Sequence, residues 1–196
     1  MAFKPLTFTG SRVVLEPLAH RHYQGLVDAV RDGELWKLWY TSIPSPEGMA
    51  EEIDRRLARQ AEGEMLPFAT LDARTGEVLG MTTFCDIDRA TPRVEIGYTW
   101  NRLSTQRTGT NAESKLLLLT HAFETEGCAS VTFTTHWHNL QSREAIARLG
   151  ARQDGVLRAH SRMADGTLRD TVVFSITAPE WPAVASGLRH RLERAR

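Results

Sequence analysis

Residues 103–126 read L-S-T-Q-R-T-G-T-N-A-E-S-K-L-L-L-L-T-H-A-F-E-T-E, and they carry the clearest structural signal in the chain. The first half is a polar loop with one glycine, and the second half is rich in residues that favour helices. Apolar residues recur there with the spacing of one helical face, at Ala112, Leu116, Leu119 and Phe123. The stretch therefore predicts a loop that runs directly into the N-terminus of an amphipathic helix.

The junction between this loop and helix is suited to bind an anion. The first N–H groups of a helix lack internal partners, and the helix dipole places positive charge there. Gly109 lets the backbone come close to a ligand, so residues 106–111 can present several N–H donors to a phosphate or pyrophosphate. Neither the P-loop pattern G-x-x-x-x-G-K-[ST] nor the dinucleotide pattern G-x-G-x-x-G occurs in the chain. A purely structural alternative is that Gly109 only turns the chain before the helix.

The segments around this junction predict an α/β fold with a mixed, mostly antiparallel sheet. We expect strands at residues 12–15, 66–72, 78–84, 93–100, 130–136, 151–159 and 168–176, and helices at residues 20–31, 45–62, 139–149 and after Pro179. The strand at 130–136 should run parallel to that at 93–100, because a helix lies between them and the crossover is right-handed by default. The length of 196 residues suits a single domain over residues 1–196.

The strand before the loop has a glycine in its interior, Gly97. Regular alternation would place Val94, Ile96, Tyr98 and Trp100 on one face and Glu95, Gly97 and Thr99 on the other. An interior glycine indicates a β-bulge or the close approach of another group. A bulge would leave backbone N–H and C=O groups free near Tyr98, Thr99 and Trp100, where a ligand could use them.

The composition excludes several classes of partner. Lys and Arg number 24 against 24 for Asp and Glu, so no net charge would attract nucleic acid or an anionic membrane. The longest aliphatic run, residues 116–119, is far shorter than the ~20 residues of a membrane span, and the first ten residues lack the apolar segment of a secretory signal. Cys85 and Cys128 form no C-x-x-C pair, and we expect them to be buried thiols. These features predict a cytoplasmic protein.

Two groups of aromatic residues invite a functional interpretation. Trp36, Trp39 and Tyr40 lie within five positions of one loop, where they could either close one end of the core or line a ligand pocket. His136 and His138 are spaced to begin a metal site, but no third ligand is near them in the sequence. We therefore expect no bound metal.

The loop Q-R-T-G-T-N resembles the Q/R-x-x-G-x-G/A pyrophosphate loop of the GNAT superfamily of N-acetyltransferases, which bind acetyl-CoA in this way. Asn111 stands where that family most often has Gly or Ala. This departure, within the run T-G-T-N-A-E-S-K, is similar to the RimJ/RimL-like branch, which acetylates the N-termini of ribosomal proteins. The resemblance extends to G-S-R-V-V-L-E-P-L near the start, to E-I-G-Y-T-W before the loop, and to N-L-Q-S-R-E-A-I-A-R-L-G-A after the helix.

This resemblance implies a GNAT-like fold, in which the sheet splays between two parallel strands, helices cover both faces, and the cofactor enters the gap. It assigns the acetyl-CoA pyrophosphate to Gln106, Arg107, Thr108, Gly109, Thr110 and Asn111. It assigns the thioester carbonyl to N–H groups near Tyr98, Thr99 and Trp100, and the pantetheine arm to Asn139. Ser142 becomes the general acid and Glu95 the proton acceptor, with Trp36, Trp39 and Tyr40 at the acceptor site. The simpler interpretations are a helix cap for Asn139 and a surface position for Glu95.

The resemblance implies direct transfer of an acetyl group to a primary amine, without an acyl-enzyme. An α-amino group has a pKa of about 7.7–8.0 and a lysine about 10.4, so at pH 7 deprotonation costs roughly 1 kcal/mol for the first and nearly 5 for the second. A weak base therefore favours an N-terminal or peptide-like α-amine. The alternatives are a small-molecule amine, such as an antibiotic or metabolite, and a catalytically silent CoA-binding module. Either a monomer or a homodimer is compatible with the sequence.

Overall fold

The structure, a computed structural model, describes residues 3–194. Within them, eight strands form one sheet in the order β1-β2-β3-β4-β5-β6-β8-β7. The strands are β1 (Phe8–Thr9), β2 (Val13–Pro17), β3 (Met65–Asp72), β4 (Val78–Asp88), β5 (Arg93–Asn101), β6 (Ser130–His136), β7 (Arg152–Arg162) and β8 (Leu168–Thr177). The α-helices are α1 (Tyr23–Arg31), α2 (Met49–Ala61), α3 (Thr110–Thr120), α4 (Leu140–Arg148) and α5 (Trp181–Arg194), and a π-helical turn, His121–Thr125, extends α3.

The sheet opens between its two parallel strands. β5 and β6 pair only through Arg93 with Ser130, Val94 with Val131, and Glu95 with Thr132. Both strands then continue, β5 to Asn101 and β6 to His136, without further pairing to each other. All other neighbouring strands are antiparallel. The predicted mixed sheet and its splay between two parallel strands are confirmed.

Helices cover both faces of the sheet, as expected. On one face, α1 and α2 enclose a core with Met81 and Trp100. On the other face, α3, α4 and α5 pack over a larger core that includes Val94 and Ile96. β5 therefore contributes side chains to both cores, and the splayed gap between β5 and β6 is a place where a ligand could enter.

The buried face of α3 differs from the predicted one. Leu118, Leu119 and Ala122 are fully buried, whereas Leu116 and Phe123 are only partly buried. Three polar residues of the first turns are buried as well: Glu113, Ser114 and Lys115. The apolar pattern gives no sign of their burial. Glu113 accepts a hydrogen bond from Val13 N on β2 and Lys115 donates one to Thr82 Oγ1 on β4, which satisfies polar groups that would otherwise be costly to bury.

Several smaller expectations can also be compared with the structure. A turn at residues 164–166 joins the two predicted strands β7 and β8, with the Thr167 N–H donating to Asp165 Oδ1 at 2.9 Å. β4 and β7 are longer than predicted, and β1 was not predicted because it has only two residues. Cys85 and Cys128 are buried and unbridged, as expected. Among residues 3–194, none of the helices has the length and apolarity needed to cross a membrane.

Candidate active site

A cavity of about 1010 Å³ occupies the gap between β5 and β6. It is lined by the unpaired part of β5, by β6, by the loop before α3, and by the first turns of α3 and α4. Its volume is at the upper end of the range of roughly 300–1,000 Å³ that is typical of small-molecule sites. The cavity therefore has room for an extended ligand.

A β-bulge in β5 shapes one side of this cavity. Gly97 pairs with Thr83 and Trp100 pairs with Met81, so two residues of β5, Tyr98 and Thr99, lie opposite a single residue of β4. Tyr98 has a φ of +49°, a left-handed conformation that is uncommon for a residue other than glycine. The predicted bulge is thus confirmed, although the residue with unusual backbone geometry is Tyr98.

The bulge changes which β5 side chains share a face. The guanidinium groups of Arg55 and Arg56 on α2 lie over the Tyr98 ring, 5.6 and 5.2 Å from its centroid. Tyr98 therefore lies on the α2 face rather than with Val94 and Ile96, and the predicted regular alternation is wrong. One extra residue in a strand reverses the alternation of every side chain that follows it.

The loop enters α3 through Gly109, which is the N-cap residue and has a φ of +93°. A β-carbon at this position would meet Arg12 Nε at 3.3 Å, so glycine suits both the conformation and the space. Four of the predicted loop residues line the cavity: Gln106, Arg107, Gly109 and Asn111. The other two, Thr108 and Thr110, are not among the lining residues, and their hydroxyls bond each other at 2.9 Å.

Glu113 fixes the start of α3 against β2. Its carboxylate accepts hydrogen bonds from Ser11 N and Oγ at 3.1 and 2.7 Å, from Arg12 N at 2.6 Å and from Val13 N at 2.9 Å. Burial would raise the pKa of Glu113, but these donors outweigh burial and hold the pKa below its ordinary value. The N–H groups of Ser11, Arg12 and Val13, where the chain enters β2, are thereby satisfied, and the start of α3 is tied to β2.

Asn139 and Ser142 lie at the start of α4, and both line the cavity. Asn139 Oδ1 accepts a hydrogen bond from Ser142 N at 3.0 Å, which is an N-cap interaction. The capping role considered for Asn139 is therefore confirmed. Because the cap uses only the side-chain oxygen, the amide nitrogen of Asn139 can still serve as a donor to a ligand.

Glu95 lies at the end of the paired region of β5 and lines the cavity. Thr134 Oγ1 on β6 donates a hydrogen bond to Glu95 Oε1 at 2.8 Å. Burial raises the pKa of Glu95 above its ordinary value, and the Thr134 hydrogen bond opposes this rise in part. A carboxylate of this kind is a stronger base than an exposed glutamate.

The three clustered aromatics have different surroundings. Trp36 packs against the core beneath α1 and α2, and Tyr40 lines the cavity. Trp39 is 57% exposed, and its ring lies 5.3 Å from that of His136 and 5.4 Å from that of His138. Both interpretations of this loop thus apply, each to a different residue. In the described part of the chain, no three His, Cys, Asp or Glu residues are grouped as metal ligands.

Lys115 and Arg169 are two of the cavity residues that were not predicted from the sequence. Lys115 is buried, and its Nζ donates hydrogen bonds to Thr82 Oγ1 at 2.9 Å and to Thr99 Oγ1 at 2.7 Å. Burial lowers the pKa of Lys115 to about 7. Arg169 on β8 also lines the cavity. Neither residue has a sequence signal, because a lysine or an arginine beside apolar residues is usually exposed.

The splayed mixed sheet, with helices on both faces and a glycine loop entering a helix beside the gap, is the GNAT-like arrangement that the sequence resemblance implies. The chain belongs to the acetyltransferase (GNAT) domain family, whose sequence signature matches residues 12–152. It is thus a GNAT acetyltransferase, and the family resemblance seen in the sequence is confirmed.

Solved structures share this fold over nearly the whole chain. A protein from T. thermophilus assigned as an acetyltransferase is 34% identical, with a TM-score of 0.82 over 98% of this chain and 100% of that one. A GCN5-related N-acetyltransferase from Brucella melitensis is 27% identical, with a TM-score of 0.86 over 96% and 86%. Mycobacterium smegmatis RimJ in complex with CoA-disulfide has the same fold, at 24% identity and a TM-score of 0.80 over 95% of each chain. None of the curated protein sequences matches this chain.

Proposed function

We propose that this protein transfers the acetyl group of acetyl-CoA directly to a primary amine, and that the amine is an N-terminal or peptide-like α-amine. One observation carries the proposal. Beyond Glu95, β5 is unpaired on its β6 side and bulged at Tyr98, and this free backbone edge shares a cavity with the N-terminus of α3. A ligand that combines a pyrophosphate with an amide-containing arm matches both features.

The loop residues hold the pyrophosphate in this proposal. Gln106, Arg107, Gly109 and Asn111 surround the cavity directly, and Thr108 and Thr110 contribute backbone N–H groups at the helix N-terminus. Gln141 Nε2 on α4 donates to Gln106 Oε1 at 2.6 Å, which links the loop to the opposite side of the cavity. Asn139 donates its amide N–H groups to the pantetheine arm.

The reaction then needs a polarised carbonyl, a neutral amine and a proton for the departing thiolate. Acetyl-CoA supplies the activated acetyl group. Backbone N–H groups at Tyr98, Thr99 and Trp100 polarise the carbonyl, Glu95 accepts the amine proton directly or through water, and Ser142 donates a proton to the sulfur. Tyr40, Trp39 and Trp36 form the side of the acceptor site beside β6, with Trp36 supporting the other two from the core.

The environment of Glu95 supports the choice of an α-amine. Its pKa is raised by burial, yet a carboxylate remains a much weaker base than a lysine amine, for which the ordinary pKa is about 10.4. An α-amine, with a pKa near 7.7–8.0, needs little help to become neutral. The two buried free thiols would remain reduced in a cytoplasmic setting, which is where we place the reaction.

Calorimetric titration with acetyl-CoA tests the first half of this proposal, with ATP and NAD as controls. We expect micromolar affinity for acetyl-CoA and none for the controls. Release of free CoA thiol is then measured with peptide N-termini and with small amines. If only small amines are acetylated, the acceptor is a small molecule and not a peptide N-terminus. If acetyl-CoA binds but no amine is acetylated, the protein is a catalytically silent CoA-binding module.

A further inference from the structure

We propose that Arg169 binds a carboxylate on the acceptor, so that the preferred acceptor is an amine that carries a carboxylate within the same molecule. The inference deepens the proposed function and rests on it. It starts from an unexpected feature of the cavity, the partly buried guanidinium of Arg169, which has no carboxylate oxygen of residues 3–194 within 4.0 Å.

Arg169 projects from the same sheet face as Glu95. Alternate residues of β8, Val172, Phe174 and Ile176, belong to the core beneath α3. Thr171 and Arg169 therefore lie on the opposite face, where His160 Nδ1 is 3.2 Å from Thr171 Oγ1. Thr134 lies on this face as well, because its hydroxyl reaches Glu95. The result is a polar surface on β6 and β8 that continues the acceptor side of the cavity.

The guanidinium of Arg169 has an unsatisfied donor within the described part of the chain. Its Nε is buried without a hydrogen-bond partner, and among residues 3–194 no carboxylate oxygen lies within 4.0 Å of its nitrogens. Arg56, in contrast, donates to Glu52 at 2.7 Å and to Thr83 at 2.7 Å. Burial lowers the pKa of Arg169 below its ordinary value. An anionic ligand would supply the missing partner and offset this desolvation.

The position of Arg169 assigns the anion to the acceptor rather than to CoA. Arg107 belongs to the pyrophosphate loop, and Arg191 donates to the Arg148 backbone oxygen beside α4, so the proposed CoA end of the cavity has its own cations. Arg169 lies instead near Glu95, whose negative charge opposes in part the lowering of the Arg169 pKa by burial. An acceptor could thus place its amine at Glu95 and its carboxylate at the planar fork of Arg169.

Matched acceptor pairs test this assignment. One pair is a short peptide with Glu at its second position and the same peptide with Gln; the other is a free amino acid and its C-terminal amide. We expect the wild-type enzyme to prefer the acidic member of at least one pair by roughly 10- to 100-fold in kcat/KM, the range of a charge-assisted hydrogen bond. The pair that shows the preference identifies the source of the carboxylate.

Substitutions separate the contribution of Arg169 from effects on folding. Arg169→Gln should abolish the preference, so that the variant uses the acidic and the neutral member with equal kcat/KM, while acetyl-CoA affinity stays within about two- to threefold of wild type. Arg169→Lys should keep part of the preference, since lysine retains the positive charge but cannot bind a carboxylate through two parallel N–H groups. The control is Arg152→Gln on β7, whose side chain is 79% exposed and pairs with Glu180. It should behave as wild type.

Two outcomes would overturn the assignment. One is equal use of acidic and neutral acceptors by the wild-type enzyme. The other is an Arg169→Gln variant that loses activity equally on both members and so keeps the wild-type preference, because Arg169 would then act through Glu95 and not on the acceptor. Calorimetric measurement of acceptor binding, with the same pairs and with CoA present, tests the role of Arg169 separately from acetyl transfer. A charge preference in binding without acetyl transfer would support Arg169 as the carboxylate site and refute the transferase proposal.

Discussion

At the residue scale, the proposed chemistry depends on Ser142 and Glu95, which the cavity brings together from α4 and β5. For Ser142, we expect Ser142→Ala to lower turnover by roughly 100-fold or more, the usual contribution of a general acid, because the thiolate would depart without a proton. Acetyl-CoA affinity should be nearly unchanged, since the cap interaction uses only the backbone N–H of Ser142. Steady-state kinetics and calorimetry check both values. Unchanged turnover would remove Ser142 from the mechanism.

Glu95 gives a prediction about pH. In the enzyme without bound substrate, Glu95 must be ionised to accept a proton. The value of kcat/KM should therefore fall as the pH drops through the raised pKa of Glu95. Glu95→Gln should remove this acidic limb and lower the plateau by roughly 100-fold. Persistence of the limb in the variant would assign it to another group, such as His136, whose pKa is lowered by burial.

Glu95→Gln should raise the stability of the folded protein although it lowers activity. Because the folded-state pKa of Glu95 is raised, the stability that its neutral form contributes is fully present below the unfolded pKa and is lost as the pH rises through the folded pKa. Glutamine stays neutral and can still accept the Thr134 hydrogen bond. We therefore expect the variant to melt at a higher temperature than wild type at neutral pH, with little difference below about pH 4.

At the element scale, the loop and α3 act as one unit through Gly109. We expect Gly109→Val to weaken acetyl-CoA binding by at least tenfold, because valine is strained at positive φ and its β-carbon would crowd Arg12. Gly63→Val is a matched control: Gly63 has a φ of +76° with no atom within 4 Å of its virtual β-carbon. Both variants should lose stability, but only Gly109→Val should lose affinity. Equal dissociation constants for both variants and wild type would mean that the loop does not hold the pyrophosphate.

At the scale of the whole molecule, the buried Lys115 should make the free energy of unfolding depend on pH. Its pKa is about 7 in the folded state against an ordinary value of 10.5, so between these values the unfolded chain binds more protons and stability rises with pH. In urea unfolding, wild-type stability should increase relative to Lys115→Met by about 1–2 kcal/mol between about pH 7 and 8.5. The variant keeps the other titrating groups, so it is the reference. Parallel pH profiles would mean that Lys115 remains charged when buried.

The sequence by itself determined the local features of this protein. Strand and helix periodicity, the glycine before α3, the Asn139 cap and the Ala164-Asp165-Gly166 turn depend on neighbouring residues, so they could be recognised without a structure. The family resemblance also followed from local motifs. The parallel pairing of β5 with β6 could be inferred because chain connectivity restricts it.

Only the tertiary structure decided which side chains face the cavity. The bulge at Tyr98 is defined by how β5 pairs with β4 in the sheet, and it reverses the alternation that the sequence alone suggests. Lys115 is buried because Thr82 and Thr99 on two strands meet its amine, and Arg169 joins Glu95 because β8 follows β6 in the sheet. Such positions depend on contacts between distant segments, and a charged residue shows in its own sequence neighbourhood no sign of the partners that will surround it.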